Sequence, residues 1–421
     1  SSNGFPSGKW DNYRDMGKDG SGNALGIAGS FHLVAFDTLS SSSHIYGNIL
    51  ANHVADIHDY GVKPEFVDIY GHSALSYIQD YQAQNNRFGE QSLSDQAIVF
   101  GNNTDTFNLY ADQNNGHETI RFKNTKVTGG SEVTFPRTIA QDLDTQSAPF
   151  IDMNQVKTQV TQLSEQLASR SANGAEMDFS DWNNKTITYT KGEGCAYLDL
   201  PLSELSKDGN PIYIKGLPLD GSAALVINVD CNGAAAPIPD QVWLRTSNDQ
   251  NASLDENDAD TGYVLWNFTN ASSVTATGMV SSILAPGATI NLKGNSCGTF
   301  IGDNINVSGE THTRPFHGKL DDDTPKPDTT TVSVSKQWLD SEGNAESAST
   351  VAAHAGVQVQ LLANGQPSGS AVTLDATNAW RYAWSDLPAK DDDGNAIDYQ
   401  VQEVSGPEGY TSVVSRNGNA F

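Results

Sequence analysis

The stretch from Tyr263 to Gly318 constrains the fold of this chain more than any other. Apolar, mostly β-branched positions (Val274, Ile283, Ile290, Phe300, Ile301, Ile305 and Val307) alternate with Pro286-Gly287, Lys293-Gly294-Asn295 and Gly302-Asp303-Asn304. Gly, Pro and Asn supply the backbone conformations of tight turns. Strands of about five residues, each ended by a turn, are the pattern of stacked solenoid coils more than of long hairpins. A jelly roll or sandwich is the competing all-β reading.

With 421 residues, two or three domains are expected. The net charge of −27 argues against nucleic acid and anionic membranes as partners, because phosphates would be repelled. Charged residues make up only 18%, while 37% hydrophobic residues can build a core, so the composition is that of a β-rich secreted protein. No apolar run reaches the roughly 18 residues of a membrane span, so no membrane insertion is expected. No basic-then-apolar leader opens the sequence and no wall anchor closes it. A secreted protein of this kind is expected to have lost a signal peptide. Cys195, Cys231 and Cys297 are open to two readings, one bridge plus a free thiol or three buried structural cysteines. No Cys-x-x-Cys or neighbouring His pair points to zinc.

Residues 1–24 are polar and Gly-rich, with Trp10 and Tyr13 as candidate anchors. Strands are expected at 65–70, 96–100, 106–110, 118–122 and 132–135, divided by Asn- and Gly-rich turns. Asp152 begins a helix. It can N-cap, with Gln155 three residues on, and Val156, Val160, Leu163 and Leu167 share one face. Asn173-Gly174 ends it. Strands return at 186–190, 195–200, 211–215 and 225–229. The acidic run Asp255-Glu256-Asn257-Asp258-Ala259-Asp260 reads as a solvated loop. Ca2+ binding is the alternative, although the spacing does not match an EF-hand. Otherwise no cofactor is expected. Residues 319–330 are acidic and Pro-containing and read as an extended linker between a head, 1–318, and a second domain, 331–421.

From Thr331 the pattern alternates, with Val332 and Val334 on one side and Ser333 and Ser335 on the other. Further strands are expected at 357–362, 371–374, 380–384 and 398–404, with turns at Asn364-Gly365, 375–378 and 391–395. About 90 residues of this kind make an Ig-like sandwich.

Two resemblances add to this reading. Leu25 to Val34, His44 to Ala51, Ala224 to Val229, Val264-Leu265-Trp266-Asn267-Phe268, Ser282 to Ala288, Asn306 to Glu310 and Pro315-Phe316-His317-Gly318 resemble a choice-of-anchor A adhesive domain of bacterial surface proteins. That resemblance, over about residues 20–318, implies a β-solenoid with a long helix packed along it, an adhesive role and no catalytic residues. Val332 to Trp338, Val359 to Gly365, Asn378-Ala379-Trp380, Asp386-Leu387-Pro388, Tyr399 to Glu403 and Gly409-Tyr410 resemble a Cna B-type domain, the stalk module of Gram-positive adhesins and pili. In that family a first-strand lysine joins a last-strand asparagine in an isopeptide bond, helped by an acid on a neighbouring strand. Lys336 matches the lysine and Glu403 the acid. Enclosure by aromatic rings strips water from such a pair and favours its neutral forms, so the amine can attack while the acid relays protons. Asn417 and Asn419 fall too early to match the asparagine, so its place is expected beyond Phe421, with the last strand truncated.

The expected protein is therefore mainly β: a solenoid-like head with one long helix, then a sandwich stalk. The reading is a wall-anchored adhesin fragment or pilus adhesin that binds a host matrix protein, mucin or glycan, with other pilus subunits as further partners. It is not an enzyme, apart from its own cross-link. An ice-binding protein and a glycan-processing solenoid are the alternatives. The first wants a flat, regular Thr face, for which Thr269, Thr275, Thr277 and Thr289 look irregular, and the second wants convergent carboxylates.

Overall fold

In the computed structural model the chain divides into two compact units, Ser1–Asp321 and Asp322–Phe421. The structure describes residues 24–58, 60, 75–83, 97–102, 107–114, 117–124, 132–135, 138–140, 149–207, 209–252, 260–320 and 329–421. Trp10, Tyr13, the strand expected at 65–70, the acidic run up to Ala259 and residues 321–328 of the expected linker lie outside them.

The first unit opens with β1 (Leu33–Ser41), β2 (Ile45–Tyr46), β3 (Ile49–Asp56), β4 (Leu75–Tyr81) and β5 (Ala97–Phe100). A separate antiparallel sheet, β6 (Phe107–Asn114), β7 (His117–Asn124) and β8 (Glu132–Phe135), precedes β9 (Thr138–Ala140). Helix α1 (Met153–Ala168) follows. Then come β10 (Ala175–Asp178), β11 (Lys185–Tyr189), β12 (Gly194–Asp199), the short α2 (Leu202–Leu205), β13 (Ile212–Lys215), β14 (Ala223–Asp230) and β15 (Ala236–Leu244). The unit continues through β16 (Val264–Thr269), β17 (Ser273–Met279), β18 (Ser282–Leu284), β19 (Thr289–Leu292), β20 (Ser296–Gly298), β21 (Phe300–Val307) and β22 (Thr311–Thr313).

Strands that follow one another in sequence mostly lie on different faces, and pairing skips from coil to coil. One face runs β11-β13-β15-β17-β19-β21, a second runs β12-β14-β16-β18-β21, and a third stacks β20, β22 and β2. Outside β10–β11 and the β6–β8 sheet, the named pairs of this unit are all parallel. A jelly roll is built from antiparallel pairs, so the topology is solenoid-like.

Spatial order departs from chain order at one place. β21 pairs with β1, with Leu33 opposite Phe300, and the stack continues through β3, β4, β5 and β9. The chain thus grows outward from the middle, returns along α1 and grows back until its two halves meet. The 16 residues of α1 span about 24 Å, the height of about five strands, which suits it for that return.

Packing explains why the strands beneath the helix read as continuous apolar runs. Val264, Trp266 and Phe268 point into the solenoid core, while Leu265 points out against α1 together with Val34, Leu50, Tyr77, Val226, Leu284 and Ile301. Both faces are covered, so alternation is lost. The Asp152 carboxylate accepts the Gln155 amide at 3.0 Å, and Met153, Val156, Val160 and Leu167 are buried. Leu163, expected on that stripe, is only half-buried, and Ser164 takes the buried position instead. Ser164 Oγ donates to Asn267 Oδ1 at 2.6 Å. Asn267 Nδ2 donates to Asn228 Oδ1 at 2.8 Å and to Ser164 O at 2.9 Å, while Asn228 Nδ2 donates to Leu167 O at 2.9 Å. Apolar packing sets the depth of the helix. This polar cluster sets its register, because a buried amide left unpaired costs about 1–3 kcal/mol.

The second unit comprises β23 (Thr329–Ser335), α3 (Ala348–Ala352), β24 (Val357–Ala363), β25 (Gln366–Pro367), β26 (Val372–Leu374), β27 (Arg381–Pro388) and β28 (Tyr399–Ser405). β23 pairs with β27, while β24 pairs with β25, β26 and β28, all antiparallel. Asn364 and Gly365, both with positive φ, form the tight hairpin turn that Asn-Gly favours. The final residues lie beside β23: Ser333 N donates to Asn419 O, Phe421 N to Ser333 O and Ser335 N to Phe421 O, each at 2.9 Å.

Candidate functional site

The site expected from the sequence lies in the second unit. β23 ends at Ser335, and the Lys336 amide donates to Trp380 O at 2.8 Å. β28 places Glu403 opposite Val359 on the facing sheet. These two elements bring Lys336 Nζ to 2.8 Å from Glu403 Oε2, with side chains 15% and 12% exposed. The amine also lies 4.7 Å from the centroid of the Trp338 ring. The arrangement sets an amine against a carboxylate in a mostly dry setting, close enough for a proton to pass directly between them.

Asn419 is not brought to this pair. Its Nδ2 donates to Thr330 Oγ1 at 3.0 Å, near the start of β23, whereas Lys336 follows the end of that strand. Of the residues around Trp338, Trp380 and Tyr410 lie in segments the resemblance matched, while sequence reasoning missed His354 and Glu346. His354 stacks on Trp338 with centroids 3.9 Å apart and planes 18° apart, and Trp380 and Tyr410 meet it edge-on at 5.4 and 5.1 Å. Glu346 binds His354 Nε2 at 2.8 Å and accepts the Tyr410 hydroxyl at 3.1 Å. His354 and Glu346 carried no signal of their own, since both come from the segment between β23 and β24 that has no strand pattern.

In the first unit the segment Pro315–Gly318 is tied to the start of β16. His317 Nε2 lies 2.6 Å from Asp260 Oδ2, and Tyr263 OH donates to the same oxygen at 2.9 Å. Burial alone would raise the Asp260 carboxyl. Hydrogen bonds from His317, the Gly262 amide and Tyr263 outweigh it and hold the group below its usual range. Burial and the Asp260 carboxylate push the Tyr263 hydroxyl up. Gly262 has no room for a side chain, since a Cβ would meet Pro315 O at 2.4 Å. This cluster fastens the end of the first unit to the residues that lead into β16. Among the described residues no group of His, Cys, Asp and Glu is arranged to hold a metal ion. The three cysteines are buried and no disulfide joins them, so the bridge reading is set aside.

The outer side of the β15–β4 face carries two polar ranks. Ser273, Thr289, Asn304, Thr38, His53 and Asp80 follow one another in register. Thr275, Asn291, Asn306 and Ser40 form the second. Asn291 Nδ2 donates to Thr275 Oγ1 at 3.1 Å and Asn306 Nδ2 to Asn291 Oδ1 at 2.9 Å. Thr275 and Thr289, irregular in sequence, are thus members of ordered ranks, but ranks of mixed Ser, Thr and Asn.

Residues 24–313 match the family profile described as "Putative Ice-binding-like adhesive domain". The chain belongs to this family. The sequence resemblance pointed to an adhesive domain of the choice-of-anchor A kind, and the profile that matches is the ice-binding-like one. Residues 332–421 match the profile of the Cna protein B-type domain. No curated protein matches the chain. Among solved structures, a single B repeat unit of the collagen-binding surface protein of Staphylococcus aureus is 26% identical, with 27% of this chain and 54% of that chain covered and a TM-score of 0.19. A two-repeat structure of the same protein is 24% identical, with 28% and 27% covered and a TM-score of 0.19. The chain thus spans about half, or less, of these two relatives. A glycosylated ice-binding protein from Arctic yeast is 11% identical, with 74% and 98% covered and a TM-score of 0.27. Both matched families are adhesin-type and non-enzymatic, and their domains are typical of surface or secreted proteins. Among the described residues no helix is long and apolar enough to cross a membrane.

Proposed function

We propose that this chain is the distal part of a wall-anchored adhesin or pilus adhesin. The ice-binding-like adhesive head binds a host matrix protein, mucin or glycan, and the Cna B-type unit is the stalk that carries it. The observation that supports this reading is the order of the two matched domains, adhesive at 24–313 and Cna B-type at 332–421. The test is a binding screen of residues 1–421 against matrix proteins, mucins and glycans, with residues 322–421 alone as control. A ligand held by the whole chain and not by the control is the expected result. Equal binding by the control would sink the assignment of binding to the head.

The stalk is further proposed to lock itself. Lys336 attacks the side-chain amide of an asparagine, and Glu403 carries the proton from the amine to the departing ammonia. The 2.8 Å contact between the two supports these roles. Ser333 lies opposite Ala420 in parallel, so Lys336, three residues further on, faces the position three beyond Ala420 in a strand continued in that register. Intact mass should therefore show no loss of ammonia in residues 1–421. Loss of one ammonia is expected once a final strand bearing an asparagine there is added.

One observation favours an ice-binding reading, the two polar ranks in register on the β15–β4 face. Thermal hysteresis of a solution of residues 1–421 decides it; an adhesin without ice affinity gives none.

A further inference from the structure

The Trp338 indole forms the wall against which Lys336 rests, yet nothing polar holds it. The ring is 3% exposed, and its N–H finds no acceptor among the described residues. Its orientation therefore depends on ring contacts and packing. Two of its ring neighbours are themselves held by one carboxylate. Glu346 takes His354 Nε2 at 2.8 Å and the Tyr410 hydroxyl at 3.1 and 3.2 Å, and His354 lies flat on the indole while Tyr410 meets its edge. His354 and Tyr410 also approach each other edge-on, 5.3 Å between centroids. Glu346 and His354 side chains are only 10% and 15% exposed, so this contact is shielded from the water that would loosen a surface pair. The chain of contacts is continuous from Glu346 through His354 to Trp338, Lys336 and Glu403.

We infer that Glu346, His354 and Tyr410 form a clamp that positions Trp338, and through it the Lys336 amine, for attack on a side-chain amide. The inference rests on the isopeptide reading of Lys336 and Glu403. In that reaction the amine nitrogen forms a bond to the amide carbon and the old carbon–nitrogen bond breaks. The amine gives up a proton, by way of Glu403, to the leaving NH2, which departs as ammonia. Glu346, His354 and Tyr410 touch no reacting atom and are positioning residues. A small misplacement of a reacting group is enough to slow such a step severely. Packing alone would tolerate Phe in place of His354, because the stacked ring survives. The clamp would not, because Phe cannot bind Glu346.

Two readouts keep the clamp separable from the isopeptide reading. The first is acylation of Lys336 by an amine-reactive ester in residues 1–421, followed by peptide mass spectrometry. The second is the rate of ammonia loss in the polypeptide lengthened by a final strand. His354→Phe, Glu346→Gln and Tyr410→Phe are expected to leave the thermal transition of the unit near wild type. Each should raise Lys336 acylation and slow ammonia loss by on the order of tenfold or more. The double variant Glu346→Gln/His354→Phe should be no slower than the slower single, and Glu346→Asp should recover part of the rate. Wild-type acylation and wild-type rate in His354→Phe would overturn the clamp. If Glu346→Gln fails to fold, Tyr410→Phe, at a residue 40% exposed, tests the same contact to the carboxylate. If the lengthened wild-type polypeptide keeps its ammonia, the isopeptide reading fails, and increased acylation of the variants still upholds the clamp on Lys336.

Discussion

The two units of this chain solve the same problem with different means. In the adhesive head the strands beneath α1 are buried on both sides, so Leu265 and Trp266, neighbours in sequence, both contribute to a core. In the Cna B-type unit burial alternates along β23 and β24, and among the described residues the core comes down to ten buried hydrophobic residues from Val332 to Val401. A domain that small buries a smaller share of its surface and is correspondingly less stable. The comparison teaches where each unit can be weakened: the head through its layered packing, the second unit through its small core.

The largest expected effect falls on the Cna B-type unit. In the lengthened polypeptide a cross-link would close a loop of roughly 90 residues, worth about 4–5 kcal/mol by the loop-entropy relation for disulfides. Lys336→Ala should remove that gain and restore the full mass, and so should Glu403→Ala. Calorimetry that shows the transition of the Cna B-type unit unmoved by Lys336→Ala would refute a gain of that size. The head should not shift in the same scan.

Next in size is the helix interface of the head. Leu167 is buried and Leu163 half-buried, so Leu167→Ala should cost about 2–5 kcal/mol and Leu163→Ala distinctly less. Denaturant titration in which the two cost the same would contradict the observed rotation of α1. Asn267→Ala removes the centre of the polar cluster and strands its partners on Asn228 and Ser164. A loss of about 1–3 kcal/mol is expected, together with faster amide exchange in α1. Unchanged exchange would show that apolar packing alone sets the register.

The smallest effect is a pH dependence confined to the head. The Asp260 carboxyl sits below its ordinary value of 3.8, so its contribution is present above that pH and is lost as pH falls through the lower folded value. Its side chain is 37% exposed, so solvent screening limits the contribution to about 1 kcal/mol or less. Asp260→Asn should therefore lower head stability slightly at neutral pH and flatten its decline in acid. An acid transition with the same slope in both proteins would show that Asp260 contributes nothing to it.

Much of this architecture was legible in the residues. The turn-punctuated strands between Tyr263 and Gly318, the Asp152 cap and the alternation from Thr331 all rest on local chemistry: turn conformations, cap hydrogen bonds and side-chain periodicity. Lys336 and Glu403 were legible through family resemblance, and the structure brings them together. What the sequence could not carry is set by pairing at long range. The closure of β21 onto β1 joins residues more than 260 apart. It makes α1 a return strut, and no local pattern encodes it. The same holds for Ser164, which reads as a surface residue until Asn267 is placed beneath it, and for Thr275 and Thr289, which fall into ranks only once the coils are stacked. Glu346 and His354 lie in a segment without periodicity. Only the tertiary fold brings them to Trp338, because aromatic contacts and side-chain hydrogen bonds depend on distance in space and leave no spacing in the chain.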